Sequence, residues 1–199
     1  MLTYERQGYA MKPGLICLII LIIFLALLLP FVAFSEKDES LKIGDQSPKF
    51  TLKDADDKEY SLDTILKKDK DQLQILILLI GGPSTRKNGN KWAKELDKLY
   101  KEKKEVSIFM IADLRGLPFF ATESMVKWGT KKENLPVTIL LDWGGKVSEL
   151  YKTQRGESNL FIIDREGKVK YYYAGQCKPE NVKTLNVKVQ EILKEKKTL

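Results

Sequence analysis

The stretch Gln74–Trp92, QILILLIGGPSTRKNGNKW, decides the fold of this chain. Its first part, Gln74–Ile80, is a continuous apolar run, which predicts a central strand covered on both faces. The next residues, Gly81–Asn88, form a polar corner before a helical pattern begins. In an open α/β sheet, ligands bind at the carboxyl ends of the strands, so this corner is the first place to look for function.

A long helix is predicted to follow the corner, from Asn88 to Lys104. Its apolar residues recur at helical spacing, and lysines and glutamates fill the other positions. The residues that define the apolar face are Trp92, Leu96 and Leu99.

The remaining sequence predicts a mixed sheet. Two further apolar strands, Val106–Ala112 and Val137–Leu141, alternate with helical patterns at Thr122–Thr130 and Val147–Tyr151. Such alternation implies parallel strands joined by helical crossovers. The other predicted elements are hairpins at 50–62 and 160–173 and a closing helix, Pro179–Lys194. The predicted fold class is α/β, a mixed central sheet with helices on both faces, preceded by an N-terminal apolar helix.

The N-terminal segment, residues 1–35, supports two interpretations. Gly14–Phe34 has no charged residue and follows Arg6 and Lys12. A run of this length is long enough to span a bilayer, but the small residues before Glu36 also suit a cleaved signal peptide. Either way we expect residues 36–199 to be exported and periplasmic or otherwise extracytoplasmic. If the leader is retained, residues 14–34 attach the protein to the membrane.

Composition limits the chemistry. The 199 residues include no histidine, and the two cysteines are Cys17, inside the apolar run, and Cys177. The exported part therefore has no second cysteine for an internal disulfide.

The formal net charge of +7 comes from interleaved charges, and no nucleic-acid motif is present. The acidic turn Lys53–Lys58 lacks the spacing of a calcium loop, so no metal and no cofactor are predicted.

Three stretches together resemble the redoxin branch of the thioredoxin fold, which includes the AhpC/TSA thiol peroxidases and the exported TlpA-type reductases. They are IGDQSPKFTL at 43–52, LDWGGKVSELY at 141–151 and NLFIIDREGKV at 159–169. The resemblance implies a thioredoxin-like domain over about residues 41–193. Two shorter stretches, Gly82–Asn88 and Gly156–Asn159, resemble the YtfJ-like exported proteins, which also lack the cysteine pair.

The chain departs from the redoxin pattern at the redox site. Thioredoxin-type reductases open their first long helix with two cysteines, and the matching positions here are about Ser84 and Lys87. A serine hydroxyl cannot exchange disulfides, and no histidine is available to activate it. The proline that faces the active site in cis in this fold aligns near Ser158. The resemblance therefore implies the fold without its cysteine-pair chemistry.

Two sets of residues are candidates for a site. Ser84, Thr85, Arg86 and Lys87, with Ser158, could bind an anion or a partner at the helix start, although Ser84 or Thr85 could simply cap the helix. Cys177 could be a single reactive thiol, because Lys178 and the start of the last helix favour thiolate. The plainer interpretation is an unreactive surface thiol at the sheet edge, away from the corner.

The aromatic residues also have two interpretations. Trp92, Trp128 and Tyr171–Tyr173 are most simply packed in the core, and an exposed aromatic face for a partner peptide is the alternative.

The sequence predicts an exported thioredoxin-fold protein without the catalytic cysteine pair. Its expected role is a binding or accessory module of the cell envelope, with an envelope protein or peptide as partner. The alternative is a divergent redoxin-type thiol oxidoreductase or peroxidase that uses Cys177, so the sequence leaves open whether the protein is an enzyme.

Overall fold

The computed structural model describes residues 41–67 and 72–195. Along the chain the strands are β1 Thr51–Asp54, β2 Glu59–Ser61, β3 Ile75–Gly81, β4 Val106–Asp113, β5 Thr138–Asp142, β6 Asn159–Asp164 and β7 Val169–Ala174. The helices are α1 Leu62–Lys67, α2 Arg86–Tyr100, α3 Glu123–Glu133, α4 Lys146–Leu150 and α5 Pro179–Glu195. A 3₁₀ turn, Pro83–Thr85, joins β3 to α2.

The strands form one seven-stranded mixed sheet in the order β2-β1-β5-β4-β3-β6-β7. Strand β3 pairs in parallel with β4, and β4 with β5, as the alternating pattern predicted. The two hairpins add antiparallel strands at the edges, β2-β1 next to β5 and β6-β7 next to β3. The predicted α/β class and mixed sheet are therefore confirmed.

The core lies on both faces of β3. Residues of β3 alternate between two apolar clusters, with Ile77 in one and Leu78 in the other. The first cluster is covered by α2 and α5, and the second by α1 and α4. This explains why every residue of Ile75–Ile80 is buried and why the run has no polar alternation.

Two details of the prediction are wrong. Helix α2 begins two residues earlier than Asn88 and ends at Tyr100. Leu99 is 36% exposed, and Tyr100 takes the inward position, because the helix turns its buried face toward β3 through Trp92, Leu96 and Tyr100. Trp128 is 65% exposed, which agrees with the exposed aromatic face that the sequence left as the alternative to core packing.

The predicted leader, residues 1–35, and its apolar helix lie outside the described residues. Among the residues that are described, no helix is long and apolar enough to cross a membrane.

Candidate functional site

The corner at the carboxyl end of β3 is a tight turn. A side chain at Gly81 would meet the Thr85 hydroxyl, since a Cβ there would lie 2.6 Å from Oγ1. The carbonyl of Gly82 accepts hydrogen bonds from both the backbone N–H and the hydroxyl of Thr85, each at 3.1 Å. This use of the hydroxyl explains why the capping prediction is wrong: neither Ser84 nor Thr85 caps the helix with its side chain.

Asn88 is the centre of a hydrogen-bond network beneath the corner. Its side-chain Nδ2 donates to Ser158 Oγ at 2.8 Å and to the Gly175 carbonyl at 3.0 Å. Its Oδ1 accepts from the Cys177 backbone N–H at 2.8 Å. The indole N–H of Trp92 also donates to the Gly175 carbonyl, at 3.2 Å. One side chain of α2 thus fixes the loops before β6 and after β7.

Ser158 stands at the position predicted for the cis-proline, and it is fully buried. Its carbonyl accepts from the Gly175 N–H at 3.0 Å, and its hydroxyl accepts from Asn88. None of the described peptide bonds is cis. Ser158 therefore holds the network together from inside, and a partner cannot reach its side chain without movement of the surrounding loops.

Cys177 does not match the surface thiol that the sequence suggested. It is 2% exposed and packs in the same core cluster as Trp92. Burial raises the pKa of its thiol, the opposite of what a reactive thiolate requires. It also lies beside the corner rather than away from it, because its backbone binds Asn88. The sequence missed this because strand pairing, not chain distance, brings the loop after β7 to α2.

The predicted binding residues separate into two groups. Ser84, Arg86 and Lys87 are exposed at the start of α2, whereas Thr85 is buried. Arg86 forms an ion pair with Glu133 at the end of α3. The structure therefore brings together a cationic, solvent-facing surface, and its role in binding stays a prediction.

A polar crevice of about 300 Å³ opens beside the corner, between the ends of β3 and β4 and the loop before β6. Arg115 lines this crevice: its Nη2 donates to Asp113 Oδ2 at 2.6 Å, and its Nη1 donates to Glu149 Oε1 at 2.5 Å. Burial by itself raises the pKa of Asp113, but hydrogen bonds from Arg115 and Ser148 outweigh it, so the pKa lies below its ordinary value.

The crevice offers hydroxyls, guanidinium and carboxylate groups but no thiol and no histidine. The described residues contain no cluster of histidine, cysteine and carboxylate side chains that suits a metal ion. Such a set of groups can bind polar or charged ligands, and it contains no activated nucleophile.

Sequence reasoning overlooked Asn88, Arg115 and Glu133. Asn88 could have been found from the sequence, because it is a polar residue in the first turn of a helix that packs against the core. The pairing of Arg86 with Glu133 had no sequence signal, because it depends on how α2 and α3 pack.

The sheet order, the two parallel crossovers and the corner at the end of β3 define a thioredoxin-like protein. Residues 43–172 match the AhpC/TSA family, and the chain belongs to this family.

Solved structures agree on the fold. A putative thiol:disulfide interchange protein DsbE from Chlorobium tepidum superposes with a TM-score of 0.58 at 21% identity, covering 77% of this chain and 99% of that one. A thiol-disulfide oxidoreductase from Bacteroides fragilis gives 0.54 at 17% identity, covering 74% and 99%. Peroxidoxin BcpB from Mycobacterium tuberculosis gives 0.52 at 20% identity, covering 68% and 86%. No curated protein matches the sequence significantly. At these identities the likeness shows the fold alone.

Proposed function

We propose that this protein is an exported redoxin-fold binding module of the cell envelope and that it does not carry out thiol–disulfide exchange at the corner. The proposal rests on two points. The chain has the fold of the AhpC/TSA family, and the side chains of the crevice beside the corner can bind polar ligands but include no activated nucleophile. Its expected partner is an envelope protein or peptide.

One observation supports the loss of exchange most directly. Ser84, in the turn before α2, and Lys87, in its first helical turn, are exposed. By the resemblance, they stand at about the positions where thioredoxin-type reductases have their cysteines. Disulfide exchange needs a thiolate, and a helix start normally supplies one by lowering the pKa of a cysteine there. A hydroxyl and an ammonium group at those positions cannot replace it.

The likeness to the YtfJ-like proteins and the leader pattern at residues 1–35 support the role outside the cytoplasm. Both are features of the sequence. Fractionation of expressing cells, with the mass of the mature protein, tests them: an intact mass means a retained anchor, a mass lacking about the first 35 residues means a cleaved signal, and recovery in the cytosol contradicts export.

The alternative, an enzyme that uses Cys177, has less support. Cys177 is buried, its pKa is raised, and its backbone is held by Asn88. A peroxide or disulfide substrate would reach the sulfur only after the loop between β7 and α5 opens.

Turnover assays with the full-length protein in lipid nanodiscs distinguish the two. We expect no reduction of insulin disulfides and no consumption of hydrogen peroxide above background, with dithiothreitol as reductant. Activity that disappears in the Cys177→Ser variant would overturn the proposal. Crosslinking from a photoreactive residue at the exposed position 84 in envelope preparations then tests binding, with a double charge reversal of Arg86 and Lys87 as the matched loss-of-contact control.

A further inference from the structure

Helix α3, Glu123–Glu133, is held on the domain mainly by its polar residues. None of its residues is buried. Lys127 contacts Asp57 at 2.5 Å, and Lys131 forms an ion pair with Asp56. At the C-terminal end Glu133 pairs with Arg86 of α2. Fixed along its edges in this way, the helix leaves two large apolar side chains, Met125 and Trp128, exposed.

A cavity of about 280 Å³ lies between α2 and α3, above the ends of β4 and β5. We call it the α2–α3 groove. Its walls are mainly apolar, and they include Met110, Ala112, Leu117, Val126 and Ile139. Water gains few hydrogen bonds in such a space, and walls without packed atoms forgo dispersion contacts. An apolar group is the natural occupant.

The groove continues into a second cavity of about 460 Å³ on the outer side of α3. The two cavities share Arg86, Met125, Gly129 and Glu133 in their walls. Trp128 lines the outer cavity and is exposed, as are Phe119 and Phe120 in the loop before α3. An elongated ligand suits this shape better than a compact one, and exposed aromatic residues of this kind mark interaction surfaces.

Two polar groups indicate the chemistry of the occupant. Asn90 Oδ1 is buried at the groove and has no hydrogen-bond partner in the described part of the chain, although its Nδ2 donates to Glu133 at 2.8 Å. A ligand N–H or O–H can reach this acceptor only after a shift of the side chains around it, and it would then supply the hydrogen bond that Oδ1 lacks. Lys132 lies over the ring of Trp128, its Nζ 4.8 Å from the centroid, and no described carboxylate forms an ion pair with it. It is available for an acidic group.

Gly129 keeps the groove open. It lies in the interior of α3, where glycine is disfavoured, and its backbone does not require glycine because its φ is not positive. A Cβ at this position would meet nothing within 4 Å. Of the four residues that line both cavities, Gly129 is the smallest, and it has free space beside it.

We infer that the α2–α3 groove binds an extended peptide segment of a partner protein, with a large apolar side chain in the groove, a backbone N–H on Asn90 Oδ1 and an acidic residue beside Lys132. The inference rests on the proposed function as a binding module, and it names the surface and the class of partner.

Fluorescence anisotropy with the full-length protein in nanodiscs tests this. The probe is a short fluorescein-labelled peptide with a central phenylalanine flanked by glutamates. We expect it to bind, and we expect binding to weaken about ten-fold or more when alanine replaces the phenylalanine. Lysine flanks should weaken it as well.

Two variants locate the site. Gly129→Leu fills the groove and should weaken binding about ten-fold or more, whereas Gly144→Leu, at another open glycine, should not. Lys132→Glu should weaken binding of the acidic peptide and improve binding of the lysine-flanked one. Lys94→Glu makes the same charge change on α2, and it should leave the preference unaltered.

The inference is overturned if the acidic peptide does not bind, or if Gly129→Leu and Lys132→Glu bind it as well as the parent chain. Full displacement by decanoate at concentrations equal to the peptide would assign the groove to a small apolar acid and would also overturn it. The turnover assays are independent of these results, so a failure of this inference is distinguishable from a failure of the proposed function.

Discussion

The side-chain amide of Asn88 donates a 2.8 Å hydrogen bond to the hydroxyl of Ser158, joining residues that are 70 positions apart in sequence. The bond connects the first turn of α2 to the residue before β6. In the redox members of this fold those two regions meet around the reactive sulfur. Here a neutral hydrogen-bond network joins them, and the same amide also binds Gly175 and Cys177.

Replacing Asn88 tests how much this network stabilises the fold. Asn88→Ala leaves the Cys177 N–H and the Ser158 hydroxyl without their partner, and buried groups in that state are costly. We expect the free energy of unfolding to fall by about 2–4 kcal/mol in urea denaturation. Ser84→Ala, an exposed neighbour, should change it by less than about 0.5 kcal/mol. Equal stability of the two variants would show that the network contributes little.

The burial of Cys177 predicts slow thiol chemistry. In a Cys17→Ser background, Cys177 should react with Ellman's reagent far more slowly than free cysteine, because the sulfur is buried and its pKa is raised. Addition of urea above the unfolding midpoint should restore rapid reaction and serves as the control. Rapid labelling of the native protein would mean that the loop between β7 and α5 opens readily, which favours the enzymatic alternative.

The corner can be tested by restoring the cysteines. In Ser84→Cys/Lys87→Cys the two thiols stand at the start of α2, where the helix lowers the pKa of the first one. We expect this double variant to reduce insulin with dithiothreitol, whereas the parent chain does not. The single variant Ser84→Cys lacks the resolving thiol and should remain inactive. An inactive double variant with native stability would show that the corner differs from a redox site in more than its sulfurs.

The ion pair between Asp113 and Arg115 predicts a pH dependence. The pKa of Asp113 is lowered in the folded state, since hydrogen bonds from Arg115 and Ser148 outweigh the effect of burial. A carboxyl of this kind stabilises the fold above its unfolded pKa, about 3.9, and this stabilisation is lost as the pH falls through the folded value. Asp113→Asn should therefore cost about 1–2 kcal/mol at pH 7.

Urea denaturation at several pH values measures the effect. The difference between Asp113→Asn and the parent chain should shrink as the pH falls below about 3.9. Asp97→Asn, on α2, is the matched control, because Asp97 forms no ion pair within the described ranges, and its effect should be small throughout. A constant cost for Asp113→Asn at all pH values would exclude the charge as its origin.

Gly129 also gives a prediction on stability alone. Because a Cβ there meets nothing within 4 Å and the residue lies inside α3, Gly129→Ala should raise the free energy of unfolding by about 0.5–1 kcal/mol. Gly89→Ala in α2 is the comparison: its Cβ would lie 2.9 Å from Met110 Cε, so part of the gain is lost to repacking. A destabilising Gly129→Ala would indicate that α3 needs the glycine for its conformation.

Much of the fold could be predicted from the sequence, and the candidate site only in part. The run Ile75–Ile80 indicated a strand buried on both faces because it has no polar alternation, and the structure confirms this. The helical face of α2 was predicted through Trp92 and Leu96 but not at Leu99, because helical spacing alone does not fix how the helix is rotated against the sheet. The sequence left the exposure of Trp128 open for a similar reason: an apolar helical face does not reveal whether another element covers it.

The sequence by itself determined the order of the elements, the alternation that produces parallel crossovers, and the absence of cysteines from the corner at Gly81–Asn88. These follow from local patterns and residue identity, which need no long-range contact. Only the tertiary structure decided that Cys177 is buried beside Asn88, that Ser158 lies inside the network, and that α3 leaves an open apolar groove. Each of these depends on which distant segments the sheet brings together, and the residues involved lie dozens of positions apart along the chain.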